Sequence, residues 1–394
     1  HDRLVERIRV YLDPVVGDAE IAARWPSVMR AGNRFDALAT RRALVAKGFV
    51  PEQVIPYAYR PFDVRWLYWE PETKLLDEKR AQYVRNVDGQ TLWLEARQSE
   101  PKAAFNRGYV TRYVGDNMGN GLSSYFPASI GLDEATLCPQ SGVRANLSSK
   151  ARGYLGETEG EPQAPFMHSV AVLNAPTFRQ ENTDALVADW PRIPLPSSAG
   201  LLIESAVLGE RVSSLLDPST GFQGGIGMGA LSAVHSVPLD PATDLAVTAR
   251  WGIAGKGGIT MPSTGTLSER AYTDEERVAI AEHAESLGMS AETAIALLGE
   301  TCFDIYLNDV AYWSCVSANV WRYTIGGYQV IKKWLSYRER ALLGRDLKSE
   351  EARYVTEMVR RIAALVLLQP ELDANYERVK ADVWEWASSP SKSG

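Results

Sequence analysis

A change of hydrophobic period at Gly326-Gly327 constrains this chain more than any other feature. Upstream, residues 302–321 are rich in aromatic and β-branched side chains, and Phe303, Ile305, Leu307, Val310, Tyr312 and Trp313 give the run strand character. Downstream, Val330, Trp334, Tyr337 and Ala341 fall on one helical face with Ile331, Leu335 and Leu342 beside them. A glycine pair is the break such a switch needs, so residues 319–339 predict a strand, a tight turn and a helix in immediate succession. Lys332, Lys333, Ser336 and Arg340 gather on the opposite side, which makes the outer face of that helix cationic by expectation.

The remaining chain is long enough to hold this segment in place. At 394 residues and 45% hydrophobic it supports two or three cores, given roughly 150 residues per domain. A formal net charge of -7 gives no global attraction for a polyanion, so nucleic-acid contact has to come from local patches. Cys138, Cys302 and Cys315 show no CxxC spacing, and His1, His168, His235 and His283 form no HxxxH pattern, so neither a zinc site nor a disulfide framework is expected. The sequence has no apolar run of membrane-spanning length and His1-Asp2-Arg3-Leu4 does not open a signal peptide, which reads as a soluble, cytoplasmic chain. The missing initiating Met reads as a fragment.

Taken in order, Leu4, Val5, Ile8, Tyr11 and Leu12 predict a helix stopped by Pro14, and residues 36–46 a second one ended by Gly48. Tyr57, Tyr59, Phe62, Val64, Trp66 and Tyr68 then alternate, predicting a strand entered through Pro56 and Pro61. Arg65 in that strand is either a base or phosphate contact or an ion-pair partner of Asp63. Lys74, Lys79, Arg80 and Arg85 are interleaved with acids and read as a solvated face. Between residues 97 and 112, Arg97, Lys102, Arg107 and Arg112 face only Glu100, and Arg144, Lys150 and Arg152 sit in a Ser/Asn-rich loop without acids. Both segments suit phosphate contacts or an ordinary solvent loop.

Further on, helices are expected through Val170, Val172, Leu173 and Phe178 with an interruption near Pro176, over 201–216, from the capping box Thr273-Asp274-Glu275-Glu276 to Gly288, and on to Gly299. Two final helices are divided by Pro370. The cluster Gly221-Phe222-Gln223-Gly224-Gly225-Ile226-Gly227-Met228-Gly229 follows a helix and Asp217-Pro218 rather than a strand, so it reads as a turn and not as a nucleotide or methyl-donor loop. Gly255-Lys256-Gly257 lacks phosphate-loop spacing and reads as a hairpin. Leu173-Asn174-Ala175-Pro176-Thr177-Phe178 echoes an Asn-Pro-Pro-aromatic motif, but its spacing is wrong for catalysis. No Ser-His-Asp set or deaminase signature is present.

The stretch Ile325-Gly326-Gly327-Tyr328-Gln329-Val330-Ile331-Lys332-Lys333-Trp334-Leu335 resembles the C-terminal specificity region of type ISP restriction-modification enzymes. Tyr59-Arg60-Pro61-Phe62-Asp63-Val64-Arg65-Trp66, Trp69-Glu70-Pro71-Glu72-Thr73-Lys74-Leu75-Leu76, Trp190-Pro191-Arg192-Ile193-Pro194-Leu195-Pro196 and Leu372-Asp373-Ala374-Asn375-Tyr376 share the resemblance, in the family's order. It implies a DNA target recognition domain from a bacterial phage-defence enzyme that joins a nuclease, an ATP-driven translocase and an adenine-N6 DNA methyltransferase. No catalytic residue, metal or cofactor is expected in this chain; S-adenosylmethionine, ATP and Mg are implied for the full-length enzyme.

The expected fold is mixed α/β (α+β), with irregular mixed sheet regions, flanking helices and a C-terminal helical bundle. The expected divisions are a helical bracket at 1–55, recognition parts at 56–160 and 161–345 with a helical insert at 273–299, and terminal helices at 346–394. Double-stranded DNA and a methyltransferase domain, in cis or trans, are the expected partners. DNA contacts are expected from Arg60, Arg65, Lys74, Lys79, Arg80, Arg97, Lys102, Arg107, Arg112, Arg144, Lys150, Arg152, Lys332, Lys333 and Arg340, with phosphate contacts from Arg97, Lys102, Arg107, Arg112, Lys332 and Lys333 and base or groove contacts from Arg60, Arg65 and neighbouring loops. A self-sufficient methyltransferase with a divergent donor loop at 224–229, or a structural scaffold, are the alternatives.

Overall fold

The computed structural model describes all residues except 31, 33–34, 77–82, 84–85, 87–89, 101–105, 117–122, 132–142, 159, 223, 236, 256–258 and 387–394. It is mixed α+β, with several small antiparallel sheets and a helical C-terminal stretch. Two compact units are each assembled from separated segments: His1–Trp93, Thr111–Gly119 and Pro127–Asn146 form the first, and Leu94–Val110, Asn120–Phe126 and Leu147–Gly394 the second. Among the described residues, no helix is long and apolar enough to cross a membrane.

In the first unit, helices Asp2–Leu12, Asp18–Arg24 and Ala37–Lys47 close on a core of Tyr11, Leu12, Ile21, Leu44 and Tyr68. The third helix starts where Asp36 accepts from the Ala39 N–H at 2.9 Å and stops at Gly48. Buried Arg41 donates to the carbonyls of Tyr11, Asp13 and Val16 and to the Asp18 carboxylate, so one guanidinium satisfies the loop that joins the first two helices.

The alternating aromatics form a hairpin and not the single strand expected from their period. Val54–Arg60 pairs antiparallel with Asp63–Tyr68, and Phe62 takes a left-handed φ of 59° with its ring buried at the reversal. Alternation reports strand character but not a reversal made by a non-glycine residue, whose strain is offset here by burial.

The second unit is organised around a four-stranded antiparallel sheet in the order Leu267–Ala271, Thr301–Tyr306, Ala311–Ser317, Ala230–Ala233. The run 302–321 is therefore two strands followed by the short helix Ala318–Trp321. The register slips between Phe303 and Ile305, where Cys315 has φ 52° and its N–H bonds Asp304 Oδ1 at 3.0 Å. Helix Ser349–Leu367 buries Val355, Met358, Val359 and Ile362, and its Ala352 carbonyl accepts from Trp313 Nε1. Helices Ala164–Asn174 and Ala199–Leu216 pack so closely that a Cβ on Gly209 would lie 1.8 Å from the Met167 carbonyl oxygen. Pro370 stands in the first turn of the last helix, Gln369–Ala381.

The glycine pair forms the expected turn. Thr324–Ile325 and Tyr328–Gln329 are its two-residue strands, and φ values of 61° and 80° at Gly326 and Gly327 match a turn with both central residues left-handed. Asn106 clamps this turn from a distant part of the chain: its carbonyl accepts from Gly326 N, its Oδ1 from Gly327 N, and its amide donates to Thr324 Oγ1. The helix that follows, Val330–Ser336, is short, and Arg340 belongs to a separate helix, Arg340–Leu343.

Candidate nucleic-acid interface

The hairpin of the first unit brings predicted cations together. Tyr57 stands opposite Arg65, and Arg60 opposite Asp63. The Arg65 guanidinium lies 4.0 Å from the Tyr59 ring centre and the Arg60 guanidinium 4.5 Å. Arg65 Nη2 reaches Asp63 Oδ2 at 2.7 Å, while Arg60 Nη1 has Asp116 Oδ2 at 3.9 Å. The ion pair expected of Arg65 is present, and 37% of its side chain remains exposed. Burial, with the Asp116 carboxylate adding to it, holds the Tyr57 phenol well above its usual range, so its hydroxyl stays neutral. Aromatic stacking and a carboxylate fix the plane of a guanidinium, and a planar donor fork of this kind suits a base edge or a phosphate.

The other expected cations are dispersed. In the first unit, Lys74 and Arg144 are exposed and Arg112 is half-buried; Arg144 pairs with Ile130 across the strands Ser129–Gly131 and Val143–Ala145. In the second unit, Arg97 and Lys332 are half-buried, and Arg340 is exposed with Nε 3.1 Å from Asp346 Oδ1. Lys150 and Arg152 are exposed on helix Ser149–Thr158, not in a loop as their Ser/Asn-rich surroundings suggested. Lys79, Arg80 and Lys102 lie outside the described residues.

Two expected phosphate cations are turned inward. Arg107 is 2% exposed, with Nη1 2.8 Å from Glu95 Oε1, Nε 2.8 Å from Glu100 Oε2, and Ser123 Oγ alongside. Burial works against its charge, but Glu95 and Glu100 more than offset it and raise its pKa. Lys333 is buried with its ammonium 4.9 Å from the Tyr328 ring centre and 5.1 Å from that of Tyr337. The expected cationic face of helix Val330–Ser336 shrinks to Lys332, since every other residue of that helix is buried.

Further arginines serve the fold. Arg361 is fully buried and donates to the carbonyls of Ser214, Asp217 and Thr220. Arg179 donates to the Leu173 and Arg107 carbonyls, and desolvation lowers its pKa. Counting charges along the chain cannot separate these from surface cations, because burial is decided by residues far away in sequence.

Apart from the Tyr59–Trp66 hairpin, the sequence blocks that carry the family resemblance make framework contacts. Glu70, fully buried, accepts from the N–H groups of Glu72 and Thr73, the Thr73 hydroxyl and Lys47, and so ties the Trp69-Glu70-Pro71-Glu72-Thr73 turn that presents Lys74. Burial opposes its charge, but the Thr73 contacts and the other donors bring its pKa down to about 2. In the proline block, the Pro194 carbonyl faces His168 Nε2 at 2.8 Å and the Pro196 carbonyl accepts from the Tyr154 hydroxyl. Asp373 accepts from Thr177 N, and Asn375 donates to Ser205 Oγ. Asn174, in the segment that echoes a methyltransferase motif, spends its amide on the Gly108 and Val170 carbonyls.

Among the described residues, Glu276, Cys302 and Cys315 place three donor atoms within 4.8 Å of one another. Arg270 already binds both Glu276 oxygens at 2.7 Å, and Glu276 Oε2 also caps helix Asp274–Ser286 through Thr273 N. A guanidinium at the carboxylate disfavours a cation there, so the set does not fit a metal centre. The glycine cluster leads from helix Ala199–Leu216 into edge strand Ala230–Ala233, with Ile226 and Met228 buried and the Met228 carbonyl bonded by Arg360. It lacks the strand before and the helix after that a methyl-donor loop requires.

The chain belongs to the Type ISP C-terminal specificity domain family, whose model matches residues 29–218 and 265–363, more than half its length. Among solved structures it is similar to the DrdV–DNA complex, with a TM-score of 0.57 and 14% identity over 94% of this chain and 33% of that one. The ATP-dependent Type ISP restriction-modification enzyme LlaBIII bound to DNA gives a TM-score of 0.55 at 10% identity, over 95% of this chain and 22% of that one. A nuclease-deletion mutant of the Type ISP enzyme LlaGI in complex with a DNA substrate mimic gives 0.50 at 13%, over 95% and 30%. Identities this low make the likeness one of fold, and the chain spans a third or less of each of these proteins. No curated protein matches the sequence.

Proposed function

We propose that this chain is the DNA target recognition domain of a restriction-modification enzyme, reading a short duplex site and presenting its adenine to an N6-methyltransferase domain outside the chain. The observation that carries the reading is the hairpin on which Arg60 and Arg65 flank Tyr59, within a chain of the Type ISP specificity family. Membership sets the class of task, and the hairpin supplies side chains whose geometry suits base edges. Lys74, Arg97, Arg112, Arg144, Lys150, Arg152, Lys332 and Arg340 are the described candidates for phosphate contacts. In this reading S-adenosylmethionine, ATP and Mg act on other parts of the enzyme, in the cytoplasm of a bacterium defending itself against phage.

A binding selection on randomised duplex DNA, made with the methyltransferase-linked protein, tests the proposal by yielding recognition and modification sites together. One enriched site containing a methylated adenine is expected. Replacing Arg65 with Met should then relax preference at one base pair, by about 1–3 kcal/mol for a bidentate contact. A selection that enriches no sequence would overturn the recognition reading.

A further inference from the structure

The first unit contains a cavity of about 420 Å³ that none of the expected DNA contacts touches. Arg3 and Arg7, one turn apart on helix Asp2–Leu12, line it together with Arg24 at the end of helix Asp18–Arg24. Leu4, Val10 and Trp25 supply apolar wall, and Glu6 is the single acid in the lining. Its volume falls within the range of small-ligand sites. All of these residues precede position 29, where the family match begins.

The charge state of the cavity favours an anion. Arg24 is paired with Glu20 at 2.5 Å, but among the described residues Arg3 and Arg7 have no carboxylate partner. The Arg7 guanidinium lies 5.1 Å from the Trp25 ring centre, and burial lowers its pKa. A guanidinium desolvated against an indole without a counter-ion gains more from an incoming anion than one in open solvent. Inorganic phosphate would satisfy the arginines but leave the apolar wall and the Glu6 acceptor unused. A nucleotide offers a phosphate for the arginines, a flat ring for Leu4, Val10 and Trp25, and N–H or hydroxyl donors for Glu6.

We infer that this cavity is a nucleotide-binding site, with Arg3, Arg7 and Arg24 holding the phosphate. The shared chemistry is a nucleoside phosphate, whose source is either one unit of a DNA strand or a free mononucleotide. The inference rests on the DNA-recognition reading only for the strand source.

Calorimetric titration of the 394-residue chain with deoxyadenosine 5′-monophosphate, deoxyadenosine and inorganic phosphate tests it, with Arg7→Gln, Arg24→Gln and the double variant Arg3→Gln/Arg7→Gln in parallel. The monophosphate should bind at least tenfold more tightly than either fragment, and Arg7→Gln should weaken it about tenfold with unchanged thermal melting. Arg24→Gln, at a more exposed position, should weaken it severalfold and keeps the test open if Arg7→Gln misfolds. For a strand source, the double variant should also lose duplex affinity and flatten its salt dependence by roughly one unit per lost contact. For a free nucleotide, duplex affinity should stay unchanged while monophosphate affinity falls. A wild-type chain that binds duplex selectively, ignores the monophosphate and is indifferent to the double variant would overturn the site while leaving DNA recognition intact. Monophosphate binding without any duplex binding would overturn recognition and keep the site.

Discussion

Replacing Arg107 with Met separates a structural from a nucleic-acid role for one of the four cations of the 97–112 segment. In the fold its guanidinium holds Glu95, which is 0% exposed, and Glu100, which is 4% exposed, with Ser123 Oγ completing the cluster. Methionine is close to the side chain in length but removes the charge, leaving two buried carboxylates without their guanidinium partner. Truncating one partner of such a buried pair costs about 3–5 kcal/mol, whereas loss of an exposed phosphate contact changes stability by less than about 0.5 kcal/mol. The two roles therefore differ by several kcal/mol in one measurement. Urea unfolding followed by tryptophan fluorescence should show the midpoint of the second unit falling sharply with little change in slope. Adding Glu95→Gln and Glu100→Gln should restore part of the loss, because neutral amides are less costly to bury than unpaired carboxylates. Stability within about 1 kcal/mol of wild type, combined with a large loss of duplex affinity, would refute the structural assignment.

Other substitutions examine the turn, the helix and the acid response. Asn106→Ala removes the side-chain bonds to Gly327 N and Thr324 Oγ1 and should cost about 1–2 kcal/mol, read as faster amide exchange at Gly327; unaltered exchange there would mean the turn holds itself. Lys333→Gln should lower stability by about 1–2 kcal/mol through its lost ring contacts without changing the salt dependence of DNA binding, whereas Lys332→Gln should do the reverse, and a shared effect on both readouts would return Lys333 to the phosphate contacts. His168 faces the Pro194 carbonyl through Nε2 and Ser205 through Nδ1, and burial lowers its pKa to about 4. The unfolded chain takes up that proton below about pH 6.5, so the stabilisation is complete above this pH and falls as pH drops towards 4, by about 3 kcal/mol in all. His168→Leu should flatten that part of the stability profile, and an unchanged profile would assign the acid loss to other groups.

The histidine also shows what a carbonyl partner settles. Pro194 O can only accept, so Nε2 carries the proton and Nδ1 accepts from the Ser205 hydroxyl, whose oxygen in turn accepts from Asn375. Two family blocks distant in sequence thereby meet on one buried network, a structural reason for their occurring together.

Local information in the sequence was enough for elements whose signals are local. The Thr273 capping box, the Asp36 cap with Gly48 beyond the helix, the left-handed turn at Gly326-Gly327 and the Pro370 boundary all depend on residues within a few positions of one another. The family resemblance was likewise legible, because its blocks are the basic hairpin together with turns and proline-linked carbonyls that hold the scaffold. Tertiary structure alone decided where the chain reverses at Phe62, whose buried ring offsets a left-handed backbone, and which cations reach solvent. Arg107 and Lys333 carry the same charge as Arg65 and Lys332, but carboxylates and aromatic rings brought by chain folding enclose the first pair and leave the second partly in solvent. Charge is a property of a residue, whereas its availability to a ligand depends on every segment packed around it.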